Sequence, residues 1–321
     1  MVSLALRRRL WHQQWVKVEG RPLPAISVIM PLFNRADLVG HAIDSVVAQD
    51  FGDWELVVVD DGSTDGSADV VAAYDDPRIR LARQPRNMGG NAARNRGIDE
   101  SRADLLAFLD SDDAYLPMKL GKVVDWFAAH PQFDVLIDSF RKVYPDGRKP
   151  DADMLNPVLD DNRAILEALF TRRIWKATPG IMVRRDAALR AGRFDEALKR
   201  RQDFDFLLRL AKVGRMACRD DVWWIKRYSN DAISAGLGNF TESLLAFHAR
   251  HPEYSSDPVF RQGLAYDVAR HLARLAGKGK FGKLRSDAST LASTFGWAAL
   301  PPLVAQGLLR VATRRRDFSG D

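Results

Sequence analysis

A chain of 321 residues with 46% apolar and 28% charged residues has the make-up of a globular protein with a large core, which excludes disordered and fibrous classes. One cysteine, Cys218, excludes an internal disulfide framework and a cysteine-built zinc site. Lys and Arg number 48 against 42 Asp and Glu, and the net +6 suits an anionic partner, whether nucleotide phosphate, membrane surface or nucleic acid, without choosing among them.

Residues 1–24 are a basic lead-in in which Leu6, Leu10, Trp11 and Trp15 recur near helical spacing. The segment reads as a helix lying on a membrane surface or as one packed on the rest of the chain. Arg7-Arg8-Arg9 is not followed by the apolar stretch of a secretory leader. The expected compartment is therefore the cytoplasm, with peripheral contact at the inner face of the cell membrane through the basic ends.

From residue 25 the pattern alternates. Residues 26–30 read as a strand, 36–48 as a helix and 54–59 as a second strand ending in Asp60-Asp61-Gly62. A helix over 68–74, a short strand over 79–81 and a glycine-bearing loop at 87–97 that runs into a helix come next. The apolar run 105–109 is a further strand, and it ends in Asp110-Ser111-Asp112-Asp113. Strand, helix, strand, helix, strand implies a parallel sheet, so two strands ending in acidic pairs place them on one sheet edge. Open α/β sheets hold their ligands there. Carboxylates crowded on one turn repel unless a cation neutralises them, and hard oxygen ligands suit Mg²⁺ or Mn²⁺. A solvated Asp/Ser turn is the plainer alternative.

Further on, 119–130 and 162–170 read as helices, 134–137 and 141–144 as strands with a turn at 145–147, and 179–183 as a strand. A helix over 185–191 is closed by Gly192, 202–213 is an amphipathic helix stopped by Gly214, and 223–228 is a strand. Trp175, Trp223 and Trp224 read first as packing residues and second as platforms for a sugar. Beyond residue 236 the chain is helical and basic. Residues 288–309 carry no charge, but Pro301-Pro302 breaks them, which favours packing or peripheral insertion over a membrane span.

Four segments occur in order at fitting spacings: Ser-Val-Ile-Met-Pro-Leu-Phe-Asn at 27–34, Val-Val-Val-Asp-Asp-Gly-Ser-Thr-Asp at 57–65, Asn-Met-Gly-Gly with Ala-Arg-Asn-Arg-Gly at 87–97, and Asp-Ser-Asp-Asp at 110–113. Together they resemble the inverting family 2 glycosyltransferases, which have a GT-A fold. The resemblance covers about 25–235. It implies an α/β, Rossmann-like, mainly parallel mixed sheet flanked by helices, leaving 1–24 as a lead-in and 236–321 as a helical C-terminal extension.

The resemblance also implies a nucleotide-sugar donor, usually UDP- or dTDP-linked, and Mg²⁺ or Mn²⁺. By it, Pro31 and Asn34 shape the loop under the nucleotide, Asp60 accepts from the base imide, and Asp61 supports the ribose side. Arg94 faces the nucleotide or its phosphates, or else pairs with a nearby Asp. Asp110 and Ser111 lie against the donor, Asp112 ligates the metal with Asp110 beside it, and Asp113 either ligates or caps the next segment. Asp203 is implied as the general base, with Gln202 where the family usually has Glu. Arg227 or Lys226 covers the diphosphate, in a loop that has no His.

The implied acceptor is a glycan or lipid-linked hydroxyl in cell-envelope or exopolysaccharide synthesis. A nucleotide-sugar-binding relative that has lost catalysis is the alternative suggested by Gln202. A nucleotidyltransferase is disfavoured, because residues 31–34 replace the glycine-rich loop it needs after the first strand. The cations form no aromatic-interleaved patch, so no nucleic-acid partner is expected.

Overall fold

The computed structural model describes residues 23–296 apart from 148, 199 and 229–239, together with 302, 304 and 305. Residues 1–22 of the expected lead-in and most of 297–321 lie outside the described residues. Strands β1 (Ile26–Leu32), β2 (Trp54–Asp60), β3 (Ile79–Arg83) and β4 (Leu105–Phe108) run parallel in the order β3-β2-β1-β4. Unbroken apolar runs suit strands covered on both faces. Side chains alternate accordingly: Val28, Met30, Ala107 and Leu109 join one core cluster, and Ile29, Leu106 and Phe108 the other.

Helix α1 (Ala36–Val47) covers the first face with Val39, Ala42, Ile43 and Val46, and α2 (Ser67–Ala72) comes after β2. Helix α3 (Gly90–Glu100) covers the other face with Ile98. It lies so close to β1 that a Cβ on Gly97 would stand 2.3 Å from Ile29 Cγ2, which explains the glycine.

Beyond β4 the sheet becomes mixed, continuing in the order β4-β8-β6-β9-β5 with β7 paired to β6. Its members are β5 (Ala114–Tyr115), β6 (Val135–Val143), β7 (Ala152–Met154), β8 (Ile181–Arg184) and β9 (Met216–Arg227). Strands β4 and β8 are antiparallel, and so are β6 and β8, whereas β6 and β9 are parallel. The two strands expected at 134–137 and 141–144 are one strand, interrupted by register shifts around Ser139 where it meets β9. The strand expected at 223–228 begins at Met216. Trp224 is fully buried and stacks on Phe140, and Trp223 is buried; Trp175 keeps 38% of its surface exposed.

Helices α4 (Lys119–Ala129), α5 (Asn162–Phe170), α6 (Arg185–Arg190) and α7 (Gln202–Val213) complete the sheet's cover. After them come α8 (Phe240–Arg250), α9 (Glu253–Ser256), α10 (Pro258–Gly277) and α11 (Phe281–Phe295). Leu244, Phe247, Phe260, Leu264, Val268 and Leu291 of this last group share one core cluster with Phe108 and Phe206. They therefore pack onto the sheet through α5 and α7. Among the described residues no helix is long and apolar enough to cross a membrane.

Candidate active site

Parallel pairing puts the C-terminal ends of β1, β2 and β4 on one edge. Asp60 closes β2, is buried, and accepts the Ser63 N–H at 3.0 Å, forming a turn. Asp61 is also buried and faces the neighbouring loop. Its carboxylate accepts from Gln84 Nε2 at 2.7 Å and from the backbone N–H groups of Met88 at 2.7 Å and Gly89 at 2.8 Å. Gly62 sits at φ +77, and a Cβ there would come within 2.8 Å of the Arg86 carbonyl carbon. Pro31 pairs with Val59 in the β1–β2 register. Asn34, at φ +49, accepts the Thr64 N–H on Oδ1 at 2.9 Å and donates its own N–H to Ser63 Oγ at 3.0 Å. Asn34, Asp60 and Asp61 thus tie three loops into one rim.

The acidic turn after β4 stands in that rim. Asp110, Asp112 and Asp113 each offer an oxygen, all within 4.8 Å of one another. Arg94, the buried α3 arginine expected to face the nucleotide or its phosphates or else to pair with a nearby Asp, donates to Asp110 Oδ1 at 2.6 Å. Asp113 is buried and accepts the Arg227 N–H at 3.0 Å, with Lys226 Nζ 3.5 Å away. Of the two cations expected here, Arg227 reaches the turn through its backbone N–H and Lys226 through its ammonium. Ser111 is buried within the turn, and Tyr115 braces it from below by donating to the Phe108 carbonyl at 2.5 Å.

Asp112 accepts no hydrogen bond from another described side chain or backbone group. Burial raises its carboxyl above the usual range, Asp110 raises it further, and Lys226 and Arg35 pull the other way. Burial pushes Asp113 up to about 8, with Lys226 opposing and Asp110 and Asp112 adding. Lys226 is raised: burial disfavours its charge, but the three carboxylates outweigh that. The turn is thus short of positive charge, and its all-oxygen donor set fits a hard divalent cation.

Asp203 lies in the first turn of α7, half-buried, with Oδ1 accepting the Phe204 N–H at 2.8 Å. One turn on, Phe206 meets Phe108 edge-on at 6.3 Å, and both contact Phe194, at 4.2 and 5.2 Å. These rings seat the start of α7 beside the strand that ends at the acidic turn. Asp205 anchors the same turn from inside, accepting from Arg209 at 2.6 Å and bonded to His251 Nε2 at 2.9 Å. Gln202, the first residue of α7, is half-buried.

The sequence profile described as Glycosyl transferase family 2 matches residues 27–195. The chain belongs to this family. A succinoglycan biosynthesis protein, ExoO, of Rhizobium meliloti is 32% identical over 227 residues, covering 67% of this chain and 64% of the relative. An amylovoran biosynthesis glycosyltransferase, AmsB, of Erwinia amylovora is 31% identical over 59% of this chain and 65% of its own length. This family 2 chain thus spans a little under two thirds of these relatives. Among solved structures, S. aureus TarS 1–349 in complex with UDP-GlcNAc superposes with a TM-score of 0.61 at 22% identity, covering 77% of this chain and 72% of TarS. The Pyrobaculum calidifontis mannosyltransferase PcManGT, in complex with GDP-Man and Mn²⁺, gives 0.55 at 19% identity over 95% and 92%. The fold is GT-A, as the resemblance implied.

Two lysines with buried or half-buried positions carry no sequence signal. Lys119, fully buried, pairs with Asp138 of β6 inside the sheet's cover, although a lysine opening an amphipathic helix reads as a surface residue. Lys176 lies beside the start of α7 in a segment with no periodic pattern.

Proposed function

We propose that this chain is an inverting glycosyltransferase that moves a sugar from a UDP- or dTDP-linked donor to a hydroxyl of a glycan or lipid-linked acceptor in exopolysaccharide or cell-envelope polymer synthesis. Family membership supports the transferase class, and the roles of ExoO and AmsB in succinoglycan and amylovoran biosynthesis support the polymer context. The observation that carries the reading is the charge-short turn of Asp110, Asp112 and Asp113 at the open edge of the parallel strands.

Asp112 and Asp110 would hold Mg²⁺ or Mn²⁺, which when bound supplies Lewis-acid stabilisation of the charge on the departing nucleotide. Lys226, held at the turn by Asp113, adds fixed positive charge beside the diphosphate. The rim made by Asn34, Asp60 and Asp61 gives the nucleoside a preformed seat. Asp203 takes the proton of the acceptor hydroxyl as its oxygen bonds to the anomeric carbon, while the bond from that carbon to the diphosphate oxygen breaks on the opposite face. The products are the glycosylated acceptor, with inverted configuration, and the nucleoside diphosphate.

Asp203→Asn tests the base. Transfer should fall by roughly 10²–10⁴-fold while UDP affinity stays within about twofold. Transfer unchanged in Asp203→Asn would remove Asp203 from the mechanism, and no transfer by the wild type would favour a binding protein without catalysis.

A further inference from the structure

The start of α7 is ringed by cations that the donor site does not use. Arg201 precedes the helix at φ +62 and pairs with Asp267 of α10 at 2.7 Å. Arg172, at φ +60 just past α5, holds the other oxygen of Asp267. Lys176 Nζ stands 4.5 Å from the centre of the Phe204 ring, next to Asp203 in sequence. It makes no hydrogen bond or ion pair with any described residue. Its neighbour Trp175 is the exposed aromatic of the region.

An ammonium set partly out of water among arginines, with no carboxylate of the described residues bonded to it, is disfavoured there. Burial depresses it to about 8; Asp203 supports its charge, and Arg172 and Arg201 oppose it. None of its three N–H donors is bonded to a described residue. A carboxylate or phosphate brought by a ligand would supply both the missing charge and the acceptors. Resting on the glycosyltransfer reading above, we propose that Lys176, backed by Arg201 and Arg172, is an anion subsite for the acceptor, so that the glycan presenting its hydroxyl to Asp203 carries a carboxylate or phosphate held on Lys176. Trp175 then lies where the ring of that charged sugar passes.

The test compares methyl glucuronide, methyl glucoside 6-phosphate and neutral methyl glucoside as probes for the full chain by ligand-observed NMR, with and without saturating UDP and Mn²⁺. At least one charged probe should bind on the order of tenfold more tightly than the neutral one, the size expected of a charge-assisted hydrogen bond. Lys176→Gln should abolish that preference and Lys176→Arg should keep most of it. The stronger probe identifies the anion as carboxylate or phosphate. Equal binding of all three probes by the wild type, or an unchanged preference in Lys176→Gln, overturns the proposal. Loss of UDP binding by the wild type would instead overturn the donor reading, and the probe comparison without UDP still decides the subsite.

Discussion

Lys119 and Asp138 form an ion pair with no exposure at either side chain, and the cost of breaking it can be worked from its partners. Lys119 Nζ also donates to the Pro179 carbonyl at 3.1 Å, and Asp138 Oδ1 accepts Trp224 Nε1 at 2.9 Å. Burial raises the Asp138 carboxyl to about 6 even though Lys119 pulls it down. Removing one partner strands the other charge in the core, which costs about 3–5 kcal/mol; replacing both removes the stranded charge and most of that cost. Lys119→Met alone should therefore lower the melting temperature by roughly 10 °C at neutral pH. Asp138→Asn keeps an acceptor for Trp224 and should cost a similar amount, because Lys119 is then left with only the Pro179 carbonyl. The double variant should recover most of the loss, giving a coupling energy of roughly 2–4 kcal/mol in a thermal or denaturant cycle. Additive losses, with the double variant as unstable as the two singles summed, would refute the view that the pair is held together against a burial penalty.

The packing of the parallel strands sets two more outcomes. Glu55, 1% exposed, is raised by burial but lowered more by hydrogen bonds from Ser27 and Arg102, ending below its usual 4.5. A depressed folded-state value means stability that is present above 4.5 and lost as pH falls through the folded value. Glu55→Gln should cost roughly 2 kcal/mol at pH 7 and progressively less below 4.5, read from urea midpoints across pH; a pH-independent difference would contradict the assignment. Gly97→Ala places a methyl 2.3 Å from Ile29 Cγ2, so it should destabilise by about 1–3 kcal/mol despite the better helix former. A stability equal to or above wild type would show that α3 is free to move away from β1.

The parts of the fold readable from sequence are those with unbroken period. Strands β1, β2 and β4 are apolar runs buried on both faces, and α1 and α7 carry clean amphipathic spacing. The start of β9 is hidden because Arg219-Asp220-Asp221 interrupts the apolar pattern, and those residues are half-buried or exposed. Strand β5, two residues long, leaves no periodicity to detect, and β7 is three. Strand β6 reads as two pieces because polar Asp138 and Ser139 occupy its middle, at the register shift against β9.

In the site, Asp110, Asp112 and Asp113 are legible because local sequence alone puts them on one turn. Their partners come from 16 and 113 positions away along the chain, in Arg94 and Lys226, so only the tertiary arrangement assigns them. That is why the sequence lets Arg94 point either toward the phosphates or toward an Asp, and why it does not separate Arg227 from Lys226. Asp61 is expected at the ribose; its three bonds to the loop at 84–89 depend on a close approach that Gly62 permits and that no local pattern encodes.

Metal-dependent nucleotide binding at the acidic turn is read most directly by thermal stabilisation. UDP, dTDP and their sugar conjugates are each added with Mn²⁺, Mg²⁺ or EDTA to wild type and Asp112→Ala. A ligand at about 100 times its Kd stabilises by about 2.7 kcal/mol, a rise of roughly 5–10 °C. A rise with one nucleotide family and a divalent ion, absent in EDTA and in Asp112→Ala, is the predicted result. No rise with any nucleotide, or a rise equal in EDTA and in Asp112→Ala, would contradict it.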